Sequence, residues 1–210
     1  MRLEQVDGPA TLTLLHYSDD DALGQGPVVD ALWAEAMRLF RSPKCQREWV
    51  ASRLLIAQMG IDPAKVSHRP SGKPYLADDS RHISLSHTLG HVAVILSPQP
   101  VGVDIERFST RIHRVAARFM EPDFPLPPAD SDEATWMLLL HWSAKEALFK
   151  CMDEDWIDFA QHLHIQPFTL QTVGTMLAYE TKTPRRQTFD VHYRIGADYV
   201  LTYALSPTMA

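Results

Sequence analysis

Apolar residues recur along this chain with two spacings, and each change of spacing marks a predicted element. TLTLLHY, residues 11–17, alternates as a half-buried strand does. Pro27 opens a helical stretch to about Phe40, because proline in a first helical turn lacks only an N–H that would have no partner there. Ser42-Pro43 caps a second helix, 43–59, which Gly60 and the Asp62-Pro63 turn stop. Residues 66–81 read as loop, and HISLS, 82–86, as a short alternating strand. HVAVILS, 91–97, is a wholly apolar strand ended by Pro98 and Pro100. In VGVDIE, 101–106, Val101, Val103 and Ile105 point one way and Gly102, Asp104 and Glu106 the other.

A helix over roughly 110–120 follows, then a proline-rich loop and a long helix over 131–151. Asp130 and Glu133 resemble a capping box at its start. Further strands follow, the last two at about 187–195 and 199–205, as a hairpin across Gly196-Ala197-Asp198. GHVAVILSP in the first half is echoed by ADYVLTYALSP in the second, which suggests two similar α+β lobes meeting near residue 100. Chance likeness of two apolar strands is the plainer account of the echo taken alone.

Composition narrows the class. Of 210 residues, 45% are apolar and 22% charged, which is ordinary globular usage and excludes disorder, collagen and coiled coil. The length suits one large domain or two small ones, able to build a core without staples. Cys45 and Cys151 make no metal spacing and no disulfide framework, which fits a reducing compartment and a cytoplasmic protein. Early charges and the lack of an apolar run argue against a signal peptide, and no stretch is apolar enough to cross a membrane. A net charge of -6 argues against nucleic acid as partner, so an acidic partner must meet a local basic patch.

Four segments could carry chemistry. Asp104 and Glu106 at i and i+2 can hold a hard divalent cation, although an isolated D-x-E is more often a solvated acidic face. In WSAKEALFK, 142–150, Trp142, Glu146 and Lys150 share one helix face. A carboxylate for a cation and a lysine for phosphate would suit a metal–phosphate site. A plain surface ion pair is the bland reading, with Trp142 and Phe149 as core. Gly72-Lys73-Pro74 lies in a loop, and as a tripeptide says little. Ser84, Ser86 and His87 lie at a strand end. Neighbours on a strand point apart, so phosphate hydrogen bonding is preferred there to a Ser-His nucleophile.

The set GKP, SLSHT, VGVDIE and WSAKEALFK, in this order, resembles the motifs of the Sfp-type 4′-phosphopantetheinyl transferase superfamily. The likeness spans roughly residues 45–170 and takes in REWVASRLL. It implies transfer of the 4′-phosphopantetheine arm of coenzyme A to a serine of an apo acyl or peptidyl carrier protein, leaving 3′,5′-ADP. It implies Asp104, Glu106 and Glu146 as ligands of magnesium, or of manganese in its place. It implies Lys150 on the CoA pyrophosphate, and Glu146 or a metal-bound water as base. Arg53, Lys73, Ser86 and His87 would bind CoA, with His87 at the 3′-phosphate. The implied fold is α+β, two pseudo-symmetric lobes (1–100 and 101–210) with the site in the cleft between them, and a monomer. One departure is CMDEDWIDF, 151–159, where the family often has a glycine-rich turn; it bears on pocket shape rather than chemistry. The rivals are a non-catalytic CoA- or carrier-binding module and a metal-dependent phosphohydrolase. Finally, Arg107, Arg111, Arg114 and Arg118 recur at helical spacing beside Phe108, Ile112, Val115 and Phe119, an arginine edge that would dock an acidic carrier or would simply be a solvated face.

Overall fold

The computed structural model describes every residue except 19, 78, 153, 155 and 207–210. Two of the acidic residues in the CMDEDWIDF departure, Asp153 and Asp155, therefore lie outside the described residues. The chain mixes helix and sheet and divides into two compact units, Met1–Pro98 and Gln99–Ala210.

The first unit contains β1 (Arg2–Val6), β2 (Thr11–His16), α1 (Pro27–Leu39), α2 (Pro43–Gln58), β3 (Val66–His68), β4 (Pro74–Leu76), β5 (His82–Thr88) and β6 (His91–Ser97). Both helices begin at the prolines, as the pattern predicts. Ser42 precedes α2 but makes no side-chain cap bond; only its carbonyl accepts, from Gln46 N–H at 3.0 Å. Gly60 ends α2 with φ +76, a conformation that costs glycine nothing. The main sheet runs β1-β2-β6-β5, antiparallel throughout. Val50, Leu55 and Ile56 of α2 pack with Ile83, Val92 and Val94 in its core. The presumed loop at 66–81 contains the β3–β4 hairpin, and the polar segment RLEQV forms the edge strand β1.

The second unit contains β7 (Val101–Arg107), α3 (Asp132–Met152), α4 (Phe159–His162), β8 (Leu163–Ile165), β9 (Val173–Glu180), β10 (Thr188–Ile195) and β11 (Tyr199–Leu205). Its sheet runs β7-β11-β10-β9-β8, again antiparallel. In each unit the last strand is inserted beside the strand that precedes the helices: β6 lies between β2 and β5, and β11 between β7 and β10. The cap of α3 is one residue later than the pattern suggests. Ser131 Oγ, not Asp130, accepts from Ala134 N–H at 3.1 Å.

The expected helix at 110–120 is instead two 3-10 turns, Thr110–Arg114 and Ala116–Arg118. Val115, at φ -114 and ψ 0, interrupts any continuous helix. Ile112, Phe119 and Met120 still enter the core with Leu138 and Leu139 of α3. The four arginines therefore form no single helical edge, and Arg107 is paired with Asp198 at 3.2 Å.

Candidate active site

Gly102 determines how α3 meets β7. A Cβ there would lie 1.9 Å from the Ala147 carbonyl oxygen and 2.7 Å from Cys151 N, so only glycine admits the helix. The helix covers the face of β7 that carries Gly102, Asp104 and Glu106. Going from Gly102 to Glu106 takes about 13 Å of strand, and from Cys151 back to Trp142 about 14 Å of helix. The two elements thus keep step, and each acid meets a partner from α3.

Lys150 Nζ donates to Asp104 Oδ1 at 2.7 Å and to the Val103 carbonyl at 3.1 Å. Trp142 Nε1–H donates to Glu106 Oε1 at 2.8 Å. Ser143 and Thr202 join α3 to β11 through a buried hydroxyl pair at 2.8 Å. Asp104 is buried, Glu106 and Glu146 half-buried. Burial, and then the Asp104 charge, push Glu106 up to about 7, against the Trp142 hydrogen bond and Lys150. Burial and then Asp104 also raise Glu146, opposed by Lys150. The three carboxylates thus feel one another, and the cluster holds more acid than Lys150 can balance.

Among the described residues no group of three or more His, Cys, Asp or Glu is disposed to hold a metal as it stands. Lys150 occupies Asp104 Oδ1 in this arrangement. The donor set still suits a hard divalent cation, since all three groups offer carboxylate oxygen and their charges are short of a counter-ion.

His141 and Lys145 of α3 are buried as well. Lys145 Nζ donates to the carbonyls of Phe119 (2.6 Å) and Phe159 (2.9 Å), tying the second 3-10 turn and α4 to the helix. Burial pulls Lys145 down to about 8, and pulls His141 to about 3, with the Lys145 charge adding to the effect on His141.

The first unit contains a cavity of about 350 Å³ lined by residues of α2 and β5, with Phe40 after α1 and His68 of β3. Arg53 and His87 both line it. The Arg53 guanidinium lies 5.0 Å from the Trp49 ring centroid, one helical turn back, and Nη1 donates to the Pro63 carbonyl at 3.4 Å. His68 is pushed below its ordinary value by burial and then by Arg53. Strand alternation places Leu85 and His87 at the cavity and turns Ser84 and Ser86 to the other, buried face of β5. Lys73 follows the turn of the β3–β4 hairpin. Its carbonyl accepts from Arg69 N–H at 2.9 Å, and Gly72 takes φ +87.

The sequence profile of the 4′-phosphopantetheinyl transferase superfamily matches residues 100–204, which contain the whole β7–α3 cluster. The chain belongs to this superfamily. A 4′-phosphopantetheinyl transferase of Bacillus subtilis is 30% identical over 125 residues, 51% of this chain and 56% of that protein. The chain therefore matches little more than half the length of that relative.

Set beside the residues expected of the family, the structure brings Asp104, Glu106, Glu146 and Lys150 into one interacting cluster. Arg53 and His87 share a cavity; Lys73 and Ser86 do not line it. The surface pair expected between Glu146 and Lys150 gives way to the Lys150–Asp104 pair. Trp142 is not simply core: its indole N–H holds an acid. Phe149, expected in the core, is 39% exposed. Glu48, Trp49 and His68 also line the cavity; the first two lie within REWVASRLL, but no motif gives any of the three a role. Helical spacing from Arg53 pointed to Trp49, whereas His68 gave no signal in a segment read as loop.

Proposed function

We propose that the chain transfers the 4′-phosphopantetheine arm of coenzyme A to a serine hydroxyl of an apo carrier protein, releasing 3′,5′-ADP. What carries this reading is the packing of α3 onto β7 at Gly102. It sets two strand carboxylates, a helix carboxylate and a lysine into one electrostatic cluster inside the family-matched segment. Asp104, Glu106 and Glu146 would hold a divalent cation, magnesium by preference. Such a cation supplies charge neutralisation and orientation to a pyrophosphate. Lys150 would then leave Asp104 and meet a pyrophosphate oxygen as a point charge. A carboxylate cannot be a committed ligand and a free base at once, so Glu146, raised by burial and by Asp104, would accept the serine proton, as the new phosphate ester forms, only when it is off the cation. Arg53 and His87 of the first unit are assigned the 3′-phosphate of CoA, and Lys73 and Ser86 a supporting part. In this reading the two units are the two lobes of a monomeric, cytoplasmic enzyme. No helix among the described residues is long and apolar enough to cross a membrane.

The discriminating test is nucleotide release. With CoA and magnesium, 3′,5′-ADP should appear only when an apo carrier protein is present. Phosphate or nucleotide released without carrier would instead favour a phosphohydrolase. CoA binding with no release under any condition would favour a binding module.

A further inference from the structure

The cavity of the first unit contains a carboxylate that the proposed chemistry leaves unused. Glu48, on α2, is only 7% exposed and lines the same cavity as Arg53 and His87. Its Oε2 lies 3.6 Å from His87 Nδ1, and its Oε1 3.7 Å from Lys44 Nζ one turn earlier. Its carbonyl accepts from Ser52 Oγ at 2.8 Å, within the same helix. An unbalanced carboxylate here would repel an anionic ligand. Lys44 offsets that charge, so Glu48 can sit beside a phosphate site without emptying it.

The His87 side chain is 43% exposed, and the torsion that turns its ring is broad and roughly two-fold. Something has to select one face of the ring. With Nδ1 turned to Glu48, Nε2 is the ring nitrogen left to a ligand, and in the imidazolium form both nitrogens donate, one toward the carboxylate and one toward the ligand. We propose that Glu48 is a positioning residue that orients His87 so that Nε2–H meets the terminal phosphate monoester of CoA, and so makes the cavity prefer the 3′-phosphorylated ligand to its dephosphorylated counterpart. This rests on the assignment of His87 to the 3′-phosphate made above.

The test is calorimetric titration of the full chain with CoA and with dephospho-CoA, alongside steady-state kinetics. Glu48→Ala should weaken CoA by roughly three- to tenfold, the cost of freeing one ordered side chain, and leave dephospho-CoA unmoved. Its KM for CoA should rise while kcat at saturation holds. Glu48→Gln should restore CoA binding to within about twofold of the parent, because an amide oxygen keeps a hydrogen-bond acceptor facing Nδ1. In a His87→Ala background, Glu48→Ala should add nothing further. Should Glu48→Ala fail to fold, Glu48→Asp, which withdraws the carboxylate by one methylene, should show the same selective loss.

Equal weakening of both ligands would overturn the proposal. Tighter CoA binding in both Glu48→Ala and Glu48→Gln would do so too, and would mark Glu48 as an anion filter. If His87→Ala keeps the full preference for CoA, the phosphate assignment fails and the positioning role falls with it. If His87→Ala abolishes that preference while Glu48→Ala changes nothing, only the positioning role fails.

Discussion

Gly102→Ala is the smallest change that should separate the two elements of the site. The new Cβ would lie 1.9 Å from the Ala147 oxygen, whereas ordinary contact begins at 3.4 Å, so β7 or α3 has to give by about 1.5 Å. The obstructing atoms are backbone on a buried helix and cannot swing aside as a side chain would. Overpacking of this kind typically costs 1–3 kcal/mol, and backbone obstruction puts it near the upper end, about 3 kcal/mol. For a protein of this size that lowers Tm by roughly 6–12 °C. The shift also draws Lys150 from Asp104 and Trp142 from Glu106. A misplacement of about 1 Å in a catalytic arrangement can cost on the order of a hundredfold in rate. Thermal unfolding and the rate of carrier modification, measured well below the lower Tm, read the two effects separately. A variant within about 2 °C and about twofold of the parent would refute the close-approach argument, since surface-like effects are of that size.

Three further outcomes are expected. His141, held near 3 in the fold against an ordinary value of 6.5, binds fewer protons folded than unfolded, so stability should fall as pH drops through 6.5 toward 3, by about 5 kcal/mol in all. His141→Leu should remove most of that slope in denaturant titrations between pH 6.5 and 4; an unchanged slope would contradict it. Lys145→Ala strands the carbonyls of Phe119 and Phe159 and should cost about 3 kcal/mol by chemical denaturation, with a loss below about 0.5 kcal/mol showing that the clamp is idle. Arg111→Glu with Arg114→Glu, both exposed on the first 3-10 turn, should raise KM for an acidic carrier and flatten its salt dependence while leaving KM for CoA in place. An unmoved carrier KM would shift attention to the basic segment from Arg41 to Arg53.

What the sequence made legible follows from how local each signal is. Pro27 and Pro43 act within their own helical turn, and the β10–β11 hairpin closes over three residues, so these elements lie where the pattern puts them. β1 is invisible to such reading: RLEQV has no apolar alternation, and its only reason to be extended is pairing with β2. Residues 110–120 carry a true helical spacing, but Ile112, Phe119 and Met120 reach the core equally well from two tight turns, and Lys145 draws in the Phe119 carbonyl. The acids and the lysine of the β7–α3 cluster could be singled out from the sequence because motif and family agree on them. Trp142 and Glu48 were not. The indole N–H is hidden in a residue that every hydrophobic pattern counts as core, and Glu48 gains its meaning only from His87, distant in sequence.

The measurement that bears most directly on the central claim is the intact mass of an apo carrier protein after incubation with this chain, CoA and magnesium, using parent, Asp104→Ala and Glu146→Ala in parallel. The account predicts that the parent adds one phosphopantetheine arm to a serine, while both alanine variants, folded by circular dichroism, add none because the acids no longer gather charge at the β7–α3 contact. No mass gain with the parent across fatty-acid, polyketide and peptide carriers, or full modification by either variant, would contradict it.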